Sequence, residues 1–404
     1  MKRIYLDNAA TTPIDKHVAK AMRDFEVEFY GNPNSIHREG QTARAKIDFA
    51  RAKIAKFINA KPQEIIFTSG ATESNNHAIR GIISNALRNL RFPSGNKPHI
   101  VTTQLEHQSI YNTAKLMEEW GIVDVTYLKP APEGTIRAED VIKAITENTI
   151  LISIIFVSNE IGSVLPIREI GKHLADVNAR QRHKIYFHTD AVQAAKYFNL
   201  NVDKLGVDLM TLSAHKINGP KGIGALYIRT GTKLDNLLTG GSQEYGMRPG
   251  TQNTSGIIGF AKAVELMGSL EERQKSAEKI KILRDELIAA ITGFTNVWLN
   301  GPAGPLRAPD NVNFSVLGAD SDLMLSKLDL SGIAASTGSA CVSGSSEPSH
   351  VIQALGKISK DKKAATVRLT LGKQNTRQEI KSAIQIITKI LEESGSTDQT
   401  PRLR

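Results

Sequence analysis

Cysteine is almost absent from this chain, and its scarcity limits the possible chemistry. The 404 residues include one cysteine, Cys341, which excludes a disulfide within the chain and any cysteine-rich metal site. Apolar runs are short: ILISIIFV at 150–157 falls far below the length needed to span a bilayer. The N-terminus lacks the apolar segment of a signal peptide. We therefore expect a cytoplasmic protein in a reducing compartment.

The chain also lacks the sequence signatures of nucleic-acid and nucleotide binding. It has no helix-turn-helix, zinc-finger or aromatic-rich RNA-binding motif, and neither a GxGxxG nor a Walker A loop. Its formal net charge is +10, from 51 Lys and Arg against 41 Asp and Glu, but the basic residues are scattered. The densest basic cluster, 357–368, is short. We expect a solvated basic surface, with docking of an acidic protein partner as the second interpretation.

Short β-rich runs alternate with helix-length segments between about residues 64 and 229. These runs are 64–70, 99–104, 124–129, 149–159, 184–191, 208–216 and 222–229. Apolar strands separated by helices predict an α/β fold with a mostly parallel central sheet sandwiched by helices. The last run follows its predecessor too closely for a crossover helix, which favours an antiparallel direction for it.

The pattern changes after about residue 260, where a smaller α+β domain is expected. Amphipathic helices are predicted over 271–292 and 377–392, the second preceded by a capping-box pattern that begins at Thr376. Strands are expected between them. The predicted domains are a large one over 16–262, a small one from 1–15 and 263–393, and a flexible tail over 394–404.

Three features of the predicted sheet suit one kind of chemistry. TSGATESNN at 68–76 places a glycine between a strand and a helix, where backbone N–H groups can bind a phosphate. Asp190 ends one apolar strand, and Lys216 follows another, where an amine loses its proton easily. Each residue alone fits a structural ion pair at least as well. Together they are the parts of a pyridoxal phosphate site, in which a lysine forms a Schiff base and an aspartate keeps the ring nitrogen protonated.

Motifs along nearly the whole chain resemble those of the pyridoxal-phosphate-dependent cysteine desulfurases of the NifS/IscS group. They are YLDNAATTP (5–13), GNPNSIH (31–37), FTSGATESNN (67–76), EHQSI (106–110), VSNEIG (157–162), HTDAVQ (188–193), SAHKINGPKGIGALYIR (213–229), MRPGT (247–251), STGSAC (336–341) and VRLTLG (367–372). The resemblance implies a fold-type I transferase of the class-V aminotransferase family. It also implies pyridoxal 5'-phosphate as the cofactor and L-cysteine as the substrate.

The resemblance implies a role for each matching residue. Lys216 would hold the cofactor covalently, Asp190 would pair with its ring nitrogen, and His107 would stack on the ring as an acid–base group. The remaining cofactor contacts would be Gln193 and Asn159 near the phenolic oxygen, Ala71, Thr72, Ser213 and His215 at the phosphate, and Thr251 at the phosphate of a neighbouring subunit. The last contact implies a homodimer.

The resemblance also explains why the single thiol lies in a Ser- and Gly-rich segment. Arg368 would bind the substrate carboxylate, with Asn159 nearby, and Cys341 would be the nucleophile that takes the sulfur as a persulfide. A flexible loop over about 333–350 would then carry the persulfide to a sulfur-acceptor protein. The acceptor could be an iron–sulfur scaffold, a tRNA-thiolation enzyme, or a component of thiamine synthesis or of DNA phosphorothioation, and the sequence does not distinguish these.

Three other interpretations remain open at this point. A selenocysteine or general cysteine lyase on the same scaffold would not need Cys341. A non-catalytic scaffold that docks sulfur carriers would tolerate loss of Lys216 or Cys341, yet both are present. A nucleic-acid-binding protein is suggested by charge alone, and salt-dependent affinity would identify it.

Overall fold

The computed structural model describes residues 3–92, 95–338, 349–357 and 363–395. Its α-helices are α1 Lys16–Glu28, α2 Arg38–Ile58, α3 Ala71–Asn89, α4 Gln108–Glu119, α5 Ala138–Lys143, α6 Ile167–Asn178, α7 Val202–Leu205, α8 Thr254–Leu266, α9 Leu270–Ile291, α10 Ser321–Leu330, α11 His350–Ala354 and α12 Arg377–Gly395. Its strands are β1 Ile4–Tyr5, β2 Ile65–Thr68, β3 His99–Thr103, β4 Asp124–Leu128, β5 Thr149–Ser153, β6 Tyr186–Asp190, β7 Leu209–Ser213, β8 Gly224–Ile228, β9 Val297–Leu299, β10 Asn311–Leu317, β11 Ile333–Ala334 and β12 Ala364–Thr370.

Seven strands form the central sheet in the order β2-β8-β7-β6-β5-β3-β4. Neighbouring strands from β7 to β4 pair in parallel, whereas β8 is antiparallel to both β2 and β7. The predicted α/β fold with a mostly parallel sheet is confirmed, as is the antiparallel direction of β8. Parallel strands bring their carboxyl ends to one edge, which is where ligands of such sheets bind.

Alternating side chains explain why helices cover both faces of this sheet. Ile100 and Leu151 pack with α3 and α4 on one face, while Val101 and Ile152 pack into the larger core on the other. All four side chains are almost fully buried. Each such burial stabilises the fold by roughly 1.5–3 kcal/mol, so both layers are needed to cover the sheet.

The strand predicted over 149–159 is shorter in the structure and ends at Ser153. Beyond it, Ile154 N and Phe156 N still donate to carbonyls of the neighbouring β6 segment. On the other side, Ile155 N donates to the Glu106 carboxylate at 2.9 Å. A side chain thus takes the place of a strand partner, and regular pairing stops there.

A second group of elements has its own sheet and its own hydrophobic cluster. Strands β12-β10-β9 are antiparallel, and they pack with α9, α10 and α12. The capping box predicted for α12 is confirmed, because Glu379 N donates to Thr376 Oγ1 and Thr376 N donates to Glu379 Oε2. The N-terminal strand β1 joins this group by pairing with β11. No helix within the described residues is long and apolar enough to cross a membrane.

Candidate active site

Polar side chains from several elements meet at the carboxyl edge of the central sheet. Asp190 and Ser213 are the last residues of β6 and β7, and Ser213 pairs with Gly224, where β8 begins. The turn that follows β7 contains His215 and Lys216. The predicted cofactor residues from β6 and β7 therefore lie side by side.

Lys216 is held beside the N-terminal segment of the chain. Its Nζ donates to Ala9 O and Ala10 O, each at 2.6 Å. Burial lowers its pKa to about 8, and the nearby Arg368 and Lys196 cations act in the same direction. The amine is therefore partly neutral near physiological pH, which is the form that attacks a carbonyl.

Asp190 is a buried carboxylate with identified hydrogen-bond donors. Only 4% of the residue is exposed. Its Oδ2 accepts from Asn75 Nδ2 at 2.9 Å, and its Oδ1 accepts from Val192 N at 3.0 Å. A buried carboxylate needs such donors, because an unpartnered charge in the interior is costly.

His107 caps α4 and is linked to Asp190 through two side chains. Its Nδ1 accepts from Ser109 N at 3.1 Å and lies 2.8 Å from Ser109 Oγ, which accepts from Asn75 Nδ2 at 2.8 Å. Because Nδ1 accepts a backbone N–H, the neutral ring carries its proton on Nε2. Burial lowers the pKa of His107, against the opposing effect of the Asp190 carboxylate. The ring is therefore neutral, and its Nε2–H is a hydrogen-bond donor.

His215 lies beside Lys216 and contacts the N-terminal segment. Its Nδ1 is 3.1 Å from Thr11 Oγ1, and its carbonyl accepts from Thr12 N at 3.0 Å. Burial lowers the pKa of His215 to about 4, with the Lys216 charge as the second cause. The imidazole is therefore neutral near physiological pH, and it would contact a ligand through hydrogen bonds rather than through charge.

The amino terminus of α3 approaches the same edge of the sheet. Ala71 and Thr72 form its first turn, and its N-cap Gly70 supplies no side-chain hydrogen bond to that turn. Glu73, one residue further, accepts from Ser69 N at 2.8 Å and from Arg248 Nε at 2.8 Å. The first N–H groups of a helix without a capping side chain are suited to an anion.

Arg368 comes from β12 and is buried opposite the sheet edge. Its Nη2 donates to Asp7 Oδ1, and its Nη1 donates to Asn159 O and Gly338 O, all at 3.0 Å. Within the described residues its buried Nε has no partner. Of the five N–H groups of the guanidinium, the Nε–H and one N–H of Nη2 thus have no partner among the residues that the structure describes.

The other predicted residues have different surroundings. Gln193 is buried, and its Nε2 donates to Ala9 O, the same carbonyl that accepts from Lys216. Thr251 is exposed and lies just before α8. Cys341 lies outside the described residues, as does most of the loop predicted over 333–350.

Several site residues were missed by sequence reasoning. Asn75 and Ser109 connect His107 to Asp190, and Asp7 pairs with Arg368. For Asn75 a signal was available, because it shares the apolar stripe of α3 with Ala78 and Ile79 at i+3 and i+4. A polar residue on a buried stripe is informative because it needs a partner inside the protein.

These residues fit pyridoxal phosphate. The cofactor needs an amine for covalent attachment, an acid for its ring nitrogen and donors for its phosphate. Lys216 has a pKa lowered to about 8, Asp190 is a buried carboxylate, and the first turn of α3 has no capping side chain. Asp190 ends β6, Lys216 follows β7 and α3 follows β2, and the carboxyl ends of these three strands lie at one sheet edge.

Comparison with known proteins agrees with this geometry. The model of the family described as Aminotransferase class-V matches residues 4–382. A protein named Cysteine desulfurase IscS, from Dictyoglomus turgidum, is 45% identical over 395 residues, which cover 97% of this chain and 95% of that protein. The chain belongs to the cysteine desulfurases of the class-V aminotransferase family. The predicted family is thereby confirmed, and with it the pyridoxal phosphate cofactor that the family uses.

Solved structures of related proteins share the fold. One, named NIFS-LIKE PROTEIN, has a TM-score of 0.85 at 32% identity and covers 97% of this chain and 100% of its own. Another, of SspA in complex with cysteine, has a TM-score of 0.76 at 36% identity and covers 92% of this chain and 99% of its own. A relative with this fold thus forms a complex with cysteine.

Proposed function

We propose that the protein removes sulfur from L-cysteine, leaving alanine, and passes the sulfur through Cys341 to an acceptor protein. The observation that carries this proposal is the convergence of Lys216, Asp190 and His107 at one sheet edge in a member of the cysteine desulfurase family. The net step is balanced: the enzyme thiol and cysteine give an enzyme persulfide and alanine, and no outside oxidant is consumed.

The residues of the sheet edge would hold the cofactor. Lys216 would attach it, Asp190 would face the ring nitrogen, and Gln193 with Asn159 would lie near the phenolic oxygen. The phosphate contacts would be Ala71, Thr72, Ser213 and His215. When bound, the cofactor supplies an electron sink that makes the substrate sulfur open to attack.

His107 would act on protons through Nε2. Its Nδ1 is engaged by Ser109, so the opposite nitrogen is the one free to face the reacting groups. A lowered pKa keeps the ring neutral at physiological pH, with its proton on Nε2, so this nitrogen would donate its proton or a hydrogen bond to the reacting groups. Ser109 and Asn75 would fix its orientation, since they tie the ring to Asp190.

Arg368 would bind the substrate carboxylate along its free edge. Asp7 and two carbonyls already fix the guanidinium plane, and Nε with the second N–H of Nη2 is left for a two-point contact. A carboxylate there would also satisfy the buried Nε. These two remaining donors support the substrate role of Arg368.

Chain length supports a role for Cys341 near Arg368. Gly338 O accepts from Arg368, and Cys341 follows it by three residues, which span at most about 11 Å. On the far side of the loop, Ser349 Oγ donates to Glu160 Oε2 at 2.5 Å, next to Asn159. Both described ends of the loop therefore bond to the 159–160 segment or to Arg368.

A homodimer would complete the site. Thr251 is exposed and free to reach a second subunit, in which it would bind the cofactor phosphate. Large apolar side chains on α1, on α2 and on the loop between them are also exposed, including Ile36 at 91%. The exposure of several large apolar side chains in this part of the chain supports a protein interface. A cytoplasmic location remains a prediction from the sequence.

The domain division predicted from the sequence is part of this proposal. Residues 16–262 would form the large domain, and 1–15 with 263–393 the small one. The hydrophobic clusters support it: Ile4 and Leu6 pack in one cluster with residues of α9, α10, α12 and the sheet β12-β10-β9, whereas the strands of the central sheet pack in the other two clusters. Arg368 would then approach the cofactor from the small domain.

The experiment uses L-cysteine, dithiothreitol and purified enzyme, with sulfide, alanine and the visible spectrum as readouts. Wild type is expected to be yellow and to make equal amounts of sulfide and alanine. Cys341→Ala is expected to be yellow but inactive, and Lys216→Ala colourless. Undiminished sulfide from Cys341→Ala would instead indicate a lyase, and a colourless wild type that cannot be reconstituted would refute the enzyme proposal.

A further inference from the structure

Residues 240–252 form a segment, called here the 240s segment, whose backbone is strained at two adjacent positions. Glu244 has φ 49° and Tyr245 has φ 58°, and neither is a glycine. Side chains with a Cβ adopt this left-handed region only at a cost in free energy. Strained residues persist where their surroundings hold them in place, so the contacts of Glu244 require an explanation.

Buried hydrogen bonds hold Glu244 in this conformation. Its side chain is 1% exposed and forms a two-point ion pair with Arg51, at 2.7 and 2.8 Å. Its Oε2 also accepts from Phe67 N at 2.9 Å, and its Oε1 lies 3.4 Å from Gln252 Nε2. The segment is therefore bound to α2 and to β2 by directional contacts with a fully buried charge.

Arg51, the partner of this carboxylate, is itself buried and held by several contacts. It lies on α2, is 2% exposed, and its Nη1 also donates to Ile65 O at 2.6 Å. Its guanidinium lies 4.6 Å from the Phe67 ring and 5.1 Å from the Tyr245 ring, which encloses it between aromatic faces. The pair excludes water, and loss of either partner would leave a buried charge unpaired.

A second ion pair joins the 240s segment to the predicted phosphate contacts. Arg248 binds both oxygens of Glu73, and Glu73 accepts from Ser69 N. Phe67, Ser69 and Glu73 border the turn from β2 to α3, whose first residues are the predicted phosphate contacts. The segment that carries Thr251 is thus fastened at two points to the phosphate turn of its own subunit.

We propose that Arg51 and Glu244 are positioning residues that set the location of Thr251, and so govern cofactor retention across the dimer. The inference rests on the proposed function, in which Thr251 binds the cofactor phosphate of the neighbouring subunit. The strained backbone at Glu244 and Tyr245 sets the direction of the 240s segment, and the buried Arg51–Glu244 ion pair holds the segment in that position. Neither residue is among the predicted cofactor contacts, so each would act through Thr251.

The test measures the rate of cofactor loss from the dimeric holoenzyme and the thermal unfolding of the apoenzyme. Glu244→Gln keeps the shape but removes the charge, and is expected to release the cofactor at least about tenfold faster. The double variant Arg51→Met/Glu244→Met removes both buried charges, and replacing a buried ion pair by apolar side chains often preserves the stability of the fold. Cofactor loss should still be accelerated in this double variant, because the directional contacts are gone.

Two controls separate the possible outcomes. Ile54 lies on the same helix, is fully buried, and packs in a hydrophobic cluster that has no member among residues 240–252. Ile54→Ala is therefore expected to destabilise the fold without removing a directional contact of the 240s segment. Two results would show that the Arg51–Glu244 pair only stabilises the fold, and would overturn the inference. One is cofactor loss from Ile54→Ala as fast as from Glu244→Gln, and the other is normal cofactor retention in the double Met variant. Normal retention in Thr251→Ala would refute the role of Thr251 itself. Rapid loss from Thr251→Ala with normal loss from Glu244→Gln would refute only the inference.

Discussion

The two sides of the proposed site differ in how they are built. The sheet edge brings together Asp190, Ser213 and Lys216, which are close in sequence, through neighbouring strands. The opposite side depends on Arg368, whose carboxylate partner Asp7 is 361 residues away. The first side has nitrogen bases with lowered pKa values, whereas the second has a fixed cation. We infer that the sheet edge serves the cofactor and that the Arg368 side serves the substrate.

Among the variants that test this comparison, Asp190→Asn is expected to have the largest effect, because it removes the negative charge proposed to face the ring nitrogen while keeping the shape. We expect kcat to fall by about 10²–10³-fold, since this is the size of the loss when one preorganised electrostatic contact is removed. The assay is sulfide production under saturating cysteine. Asp208→Asn is the matched control, because Asp208 is equally buried but lies before β7, at the opposite edge. A similar loss of kcat in both variants would contradict the assignment.

Arg368→Lys should act on the other side of the comparison. Lysine keeps the charge but lacks the planar edge with two donors, so KM for cysteine is expected to rise about 10- to 100-fold. Cofactor binding should be unchanged, as measured by the visible spectrum during titration. Lys373→Met, an exposed cation near the end of β12, should alter neither quantity. If Arg368→Lys instead lost the cofactor while its affinity for cysteine was unchanged, the assignment of one side to the cofactor and the other to the substrate would be wrong.

The pH dependence of cofactor loading should follow Lys216. Since its pKa is lowered to about 8, the neutral fraction of the amine rises about tenfold between pH 7 and pH 9. The rate at which apoenzyme takes up pyridoxal phosphate should rise by this factor, with an inflection near pH 8. His215 does not titrate in this range, because its pKa is lowered to about 4. An uptake rate that does not change with pH would contradict the assignment of Lys216 as the lysine that attaches the cofactor.

The same shift predicts how apoenzyme stability changes with pH. An unfolded lysine titrates near 10.4, so between about pH 8 and 10 the unfolded state binds more protons than the folded state. The contribution of Lys216 to the free energy of unfolding should therefore increase with pH across that window. The contribution of Lys216 is the difference between wild type and Lys216→Met in how the free energy of unfolding changes with pH. If the free energy of unfolding of Lys216→Met increased with pH as much as that of wild type, the increase would come from other groups.

The smallest effect is expected from Ser109→Ala. The hydroxyl between His107 and Asn75 is lost, but Ser109 N still donates to Nδ1 and preserves the tautomer. One neutral hydrogen bond corresponds to roughly a 2- to 10-fold fall in kcat. Ser326→Ala, on the exposed face of α10, is the control. A fall as large as that of Asp190→Asn would show that Ser109 does more than orient the ring.

The sequence was sufficient to predict the sheet edge but not the contacts around it. Asp190 and Lys216 follow apolar strands, a pattern that is visible in the sequence and that parallel pairing converts into proximity. The Asn75–Ser109 link depends on how α3 packs beside α4, and the Arg368–Asp7 pair depends on how the two ends of the chain meet. The position of Asn75 on the buried stripe of α3 indicates that it needs a partner, but no local pattern identifies Ser109 as that partner or Asp7 as the partner of Arg368. The strain at Glu244 is likewise invisible, because it arises from the buried partner Arg51.

The central claim is that Lys216 at the sheet edge attaches the cofactor. Reduction of the holoenzyme with sodium borohydride fixes pyridoxal phosphate to the lysine that bears it, and mass spectrometry of the digested protein identifies that residue. We predict a phosphopyridoxyl group on Lys216 and on no other lysine. Modification of a different lysine, such as Lys196 or Lys221, would contradict the claim.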